Sequence, residues 1–223
     1  MNAIYQTLKQ LHIVPVVVLN DARDAGPLAE ALCRGGLPCA EVTFRTPAAE
    51  ESIRIMAEKF PQMTVGAGTV LTIDQVNRAI DAGARFIVSP GLNPRIVQYC
   101  IDRGIPVIPG CSSPSDIEQA LEYGLKVVKF FPAEAAGGLK FIKAVAAPYT
   151  DVLFMPTGGI NPVNVKEYLA YDRILACGGS WMVKCSLIRE GNFEQITRLV
   201  KDTVKIAASV CNGKQEEDVS CQK

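Results

Sequence analysis

The chain has 223 residues, nearly half of them apolar, and its 23 basic side chains balance 23 acidic ones. That balance, with no long basic run, argues against nucleic acid or an anionic membrane as partner, and no apolar stretch is long enough to span a bilayer. The eight cysteines form no CxxC pair, and His12 is the one histidine, so reduced buried thiols in a cytoplasmic protein are expected and a His/Cys metal site is not.

The opening residues MNAIYQTLKQLHI predict an amphipathic helix and lack the long apolar core and cleavage site of a signal peptide. Short apolar, β-branched runs then recur at VPVVVL (14–19), CAEVTF (39–44), TVGAGT (64–69) and RFIVS (85–89). They continue at PVIPG (106–110), VVKFFP (127–132), VLFMPTG (152–158) and RILACGG (173–179). Helix-like segments lie between them, among them DARDAGPLAEALCRG, TPAAEESIRIMAEKF, TIDQVNRAIDAG and SPSDIEQALEYG. Several open on a capping residue and close on glycine.

Strands alternating with helices through short loops predict a parallel sheet, and eight such units predict an α/β (β/α)8 TIM barrel over residues 1–211. The other arrangement, an open doubly wound sheet, draws only on VGAGTV, which lacks the full GxGxxG spacing and a following acidic residue. The polar tail NGKQEEDVSCQK (212–223) has no apolar stripe and is expected to be disordered.

Within GLKVVKFFPAE (124–134) two lysines interrupt an apolar run. Side chains alternate across a strand, so Val127, Lys129 and Phe131 share one face, and Lys126 falls at the far end from the functional rim. Lys129 is therefore the chemical candidate. Apolar neighbours favour a neutral amine, which forms a Schiff base with a carbonyl substrate. The bland alternative is a packed stem whose head pairs with a carboxylate.

In EVTFRT, alternation puts Glu41, Thr43 and Arg45 on one face at the rim end of the second strand. Glutamate can serve as general acid/base and arginine can fork onto a carboxylate, or the two can brace each other as an ion pair. Thr69 ends the third strand after two glycines. MPTGGINP brings Gly158 and Gly159, then Asn161 as expected helix cap with Pro162 at the first helical position. ACGGSW brings Gly178, Gly179 and Ser180. Loops after strands seven and eight commonly bind phosphate in such barrels, through free amides.

The segments EVTFRT, VGAGTVL, SPGLN, IPGCSS, VKFFPAEAAGG, PTGGI and GGSW, in order over nearly the whole chain, resemble the 2-keto-3-deoxy-6-phosphogluconate (KDPG) and 4-hydroxy-2-oxoglutarate (KHG) aldolase family. The resemblance implies a class I aldolase on a (β/α)8 barrel, a cytoplasmic homotrimer without metal or other cofactor, acting on a small 2-keto-3-deoxy sugar acid phosphate. It makes Lys129 the Schiff-base lysine and Glu41 the proton shuttle. Arg45 and Thr69 would hold the pyruvate carboxylate, with Pro90 and Phe131 shaping the pyruvate pocket. Gly158, Gly159, Gly179 and Ser180 would receive the phosphate, with Thr157 adjoining. An aldolase for the galactonate epimer and a non-catalytic phosphometabolite-binding barrel are the other readings.

Overall fold

The computed structural model describes residues 2–220, with side chains over 2–210. Each predicted run coincides with a strand, the first of them starting one residue early: β1 (Ile13–Val17), β2 (Cys39–Thr43), β3 (Thr64–Gly68), β4 (Ile87–Val88), β5 (Val107–Ile108), β6 (Val127–Phe130), β7 (Leu153–Pro156) and β8 (Cys177–Gly179). Six of them pair in parallel in the order β5-β4-β3-β2-β1-β8, and β6 pairs with β7. Single bridges close the ring, Gly110 to Lys129 between β5 and β6 and Thr157 to Gly178 between β7 and β8. The result is the closed TIM barrel, with all strands pointing to one rim. The shortness of β5 has a local cause: Pro106 and Pro109 flank it and have no N–H to add to a ladder.

The helices between strands are α2 (Ala25–Gly35), α3 (Ala49–Lys59), α4 (Ile73–Asp81), α5 (Pro94–Asp102), α6 (Pro114–Glu122), α7 (Gly138–Ala146) and α8 (Val165–Ala170). An N-terminal α1 (Ala3–Leu11) precedes them, and α9 (Cys185–Arg189) and α10 (Phe193–Ser220) follow. Capping works as expected at α4, where Thr72 Oγ1 accepts from the Gln75 N–H at 3.1 Å, and at α6, where Ser113 and Asp116 form a capping box. It does not at Thr46, whose hydroxyl donates to the Leu19 carbonyl while Ala48 occupies the cap of α3. Asn161 also differs from expectation. Its Oδ1 accepts from the Val163 N–H at 2.8 Å, bracing a turn, and α8 starts only after Asn164.

Alternation splits the core into two shells. Val128 and Phe130 pack outward with the helices, whereas Val127 joins Val14, Cys39, Phe86, Ile108 and Met155 inside the barrel. Ile4 and Leu8 of α1 complete this inner cluster, and Tyr5 donates to the Val107 carbonyl at 3.1 Å. So α1 plugs the end where the strands begin, leaving the opposite rim for chemistry. Phe44 faces outward as alternation requires, under the Arg78 guanidinium at 5.6 Å.

Helical backbone continues through 212–220, where the sequence predicts a disordered tail, while residues 221–223 lie outside the described residues. Extending a helix already nucleated costs little, and Lys214, Gln215, Glu216 and Glu217 are good helix formers.

Inside the plug, a Cβ at Gly66 would stand 2.3 Å from the Phe86 ring. Gly66→Ala is expected to lower stability in urea unfolding by about 1–3 kcal/mol, the usual cost of overpacking. Adding Phe86→Leu should recover part of that loss, because the ring is what the new methyl meets.

Candidate active site

Strand alternation carries Lys129 into the barrel one layer above Val127, and Glu41 one layer above Cys39. Lys129 Nζ lies 3.2 Å from Glu41 Oε1, with the two side chains 5% and 0% exposed. Lys126, at the start of the same strand, is exposed and pairs with Asp151 at 3.1 Å. The two lysines thus part as alternation and strand polarity predict. The Glu41–Arg45 brace does not form among the described residues. Arg45 stands past the end of β2 and is exposed, and Glu41 has Lys129 instead. Thr43 spends its hydroxyl on the Val17 carbonyl at 2.9 Å, so it is a strand-to-strand tie rather than a ligand contact.

The space for this pair is made by absence of side chains. A Cβ at Gly68 on the neighbouring strand would lie 2.3 Å from Glu41 Oε1. Glu41 Oε2 and Thr157 Oγ1 are buried without a hydrogen-bond partner among the described residues. Such atoms are costly in a folded interior and are common where a ligand completes the bonding. The Phe131 ring centroid is 5.3 Å from Lys129 Nζ, favourable for a cation over its face.

Phe131 also lines a cavity of about 660 Å³ at the C-terminal rim, together with Arg45, Thr157, Gly158, Gly159, Gly179 and Ser180. Seven of the residues expected in the site therefore meet in one space, while Lys129 and Glu41 fall outside its lining, with Lys129 Nζ against the Phe131 ring. Thr69 and Pro90 stand outside that lining. Thr69 lies one residue past the end of β3, not in it, at φ +55°, a left-handed backbone unusual for threonine, and Pro90 borders a separate, smaller hollow with Val70 and Ser89.

The two glycine pairs differ in their reasons. Gly158 and Gly159 have φ of +99° and +83°, so they form a true left-handed turn. Gly178 and Gly179 belong to strand β8 and leave room for close neighbours: a Cβ at Gly179 would stand 1.8 Å from the Trp181 ring.

The turn has a brace behind it that leaves no local signal in the sequence. Glu134 accepts a short hydrogen bond from the Tyr168 hydroxyl, and its N–H donates to the Gly158 carbonyl at 3.0 Å. Burial, and then the bond to Glu134, pushes the Tyr168 phenol well up, so it stays a donor. Trp181, Lys184 and Cys185 join the cavity wall without having been expected there. The GGSW motif signals Trp181, but nothing local links Tyr168 to a glutamate 34 residues earlier.

The family model described as KDPG and KHG aldolase matches residues 4–199. The chain belongs to the KDPG and KHG aldolase family. A 2-dehydro-3-deoxy-phosphogluconate aldolase of Treponema pallidum is 50% identical over 206 residues, 92% of this chain and 98% of the relative. A KHG/KDPG aldolase of Escherichia coli K12 is 44% identical, over 86% of this chain and 91% of its own. A Legionella pneumophila KDPG aldolase structure, with pyruvate captured at low pH as a covalent carbinolamine intermediate, is 40% identical at a TM-score of 0.87. It covers 90% of this chain and 97% of that one.

The cysteines of this family member are free thiols at the six described positions, and Cys185 is exposed. Burial pushes the thiols of Cys100 and Cys111 up to about 12 and those of Cys39 and Cys177 higher still, so none of these four supplies a thiolate at neutral pH. Among the described residues no His/Cys/Asp/Glu group is placed to hold a metal, and no helix is long and apolar enough to cross a membrane.

Removing one member of a buried ion pair strands the other. Glu41→Leu is expected to cost about 3–5 kcal/mol in urea unfolding, whereas Glu41→Leu with Lys129→Met should return close to the parent stability.

Proposed function

We propose that the chain is a class I aldolase, a lyase that cleaves KDPG to pyruvate and glyceraldehyde 3-phosphate and KHG to pyruvate and glyoxylate. The observation that carries this is the buried Lys129 amine with the Glu41 carboxylate 3.2 Å away. The names of the Treponema and Escherichia relatives and the covalent carbinolamine in the Legionella structure support it.

An ammonium must lose a proton before it attacks a carbonyl, and Glu41 Oε1 is within reach to accept it. The neutral amine adds to C2 of the keto acid, giving a carbinolamine. Glu41 returns that proton to the carbinolamine hydroxyl, which leaves as water, so an iminium remains on Lys129 and Glu41 is again a carboxylate. The electron pair of the C3–C4 bond then moves toward the iminium nitrogen, Glu41 takes the C4 hydroxyl proton, and the aldehyde departs. Glu41 passes that proton to C3 of the enamine left behind, and water hydrolyses the resulting iminium to release pyruvate and the lysine amine. Lysine is itself the electron sink, so the scheme asks for no cofactor.

The remaining roles follow from charge and position. Arg45, in the cavity wall beyond Glu41 on β2, suits the substrate carboxylate. Thr69 and Pro90 follow β3 and β4, the next places round the same rim, and would complete the pyruvate end with Phe131. Gly158, Gly159, Gly179 and Ser180, with Thr157 beside them, would receive the phosphate at the β7–β8 side. The reading carries with it the cytoplasmic homotrimer that the resemblance implies.

Borohydride reduction in the presence of pyruvate should add one pyruvate-derived mass on Lys129. Lys129→Ala should abolish both labelling and cleavage, and Lys126→Ala should do neither. Label on Lys126 would sink the assignment. Glu41→Gln keeps an oxygen for Lys129 yet cannot take a proton, so single-turnover cleavage should fall at least about a hundredfold with the melting transition retained. A fully active variant would return Glu41 to a structural role.

Gly158→Ala strains the turn and turns its amides. It should raise KM for KDPG well above its effect on KHG. An equal loss on both would mean that the turn serves only the fold.

A further inference from the structure

We propose that Lys184 is a specificity-determining residue that reads the charge of the substrate's phosphate end. The assignment rests on the aldolase reading above and adds a side chain to a subsite otherwise made of amides and a hydroxyl. Of the residues lining the cavity, two are charged, Arg45 and Lys184, and both are cations. Neither makes an ion pair among the described residues, although exposed cations elsewhere do, as in Arg34–Glu194 and Lys126–Asp151.

Ring order separates the two cations. Strands run β7–β8–β1–β2 around this side of the barrel. Arg45 follows β2, the strand that carries Glu41 four residues earlier. Lys184 follows β8, next to the β7 strand that ends in the Gly158–Gly159 turn. The proposed substrate is anionic at both ends, with a carboxylate on C1 and a phosphate on C6. The cavity offers one cation to each. A phosphate ester carries roughly −1.5 to −2 at pH 7, and amides and Ser180 can bond its oxygens without neutralising it.

Local physics gives no other reason for lysine at this position. Lys184 is the cap residue of α9, where its side chain makes no capping bond. Serine, threonine, aspartate or asparagine would cap there, and a cation opposes the helix dipole. A residue that breaks a local rule at the edge of a binding cavity points to the ligand.

The test is steady-state kinetics of the full chain with KDPG and KHG, for Lys184→Gln, Lys184→Arg and Gly158→Ala, at low and at raised salt. Lys184→Gln should raise KM for KDPG roughly five- to tenfold with kcat retained, the scale of one solvent-reached charge contact. The salt dependence of kcat/KM for KDPG should flatten in the same variant. KM for KHG, which has no phosphate, should hold to within about twofold, and Lys184→Arg should restore KDPG binding. An equal rise on both substrates, or no rise on KDPG, overturns the assignment. In the second case Gly158→Ala says how far the failure reaches. A KDPG-selective rise there removes Lys184 alone, and none removes the phosphate subsite with it.

Discussion

An ammonium and a carboxylate taken out of water each cost several kcal/mol, and Lys129 and Glu41 offset that only by facing each other at 3.2 Å. The barrel around them is arranged to permit this. Strands β6 and β2 present the two groups inward from different sides of the ring. Gly68 contributes no side chain where Glu41 lies, and the apolar plug under α1 keeps water from the strand-start end. A pair that close is also a proton donor and acceptor in contact, which is the requirement for making an amine nucleophilic. The interaction that burial makes costly is the one on which the proposed chemistry rests.

Rigidity at the other end of the cavity comes from neutral groups and from missing ones. The Gly158–Gly159 turn is held from behind by the Glu134 N–H and by the Glu134–Tyr168 bond, which ties the loop after β6 to α8. On β8 the Trp181 ring packs where a Gly179 side chain would be, while its Nε1 donates to Thr203 at 3.0 Å in α10. Terminal helix, eighth strand and this wall of the cavity are thereby one packed unit.

Much of this was legible in the residues. Period-two alternation separated Lys129 from Lys126 and turned Phe44 outward, and the recurrence of eight apolar runs gave the barrel. The positions of the loops after strands seven and eight singled out the glycines, and the family resemblance added Thr157. Reading failed where a residue had two local uses. Thr46 and Asn161 both look like helix caps, yet Thr46 donates across to the Leu19 carbonyl and Asn161 braces a turn that delays α8. Glu41 and Arg45 share a face, but a strand that ends at Thr43 carries Arg45 out to solvent.

The sequence by itself determined which side chains point inward and toward which rim, because both follow from strand alternation and chain direction. Tertiary structure alone decided partners. Lys129 and Glu41 are 88 positions apart, Glu134 and Tyr168 are 34, and only ring closure through the Gly110–Lys129 and Thr157–Gly178 bridges sets such distances. Periodicity is a property of neighbours along the chain. A hydrogen bond across a barrel depends on the register of every strand between.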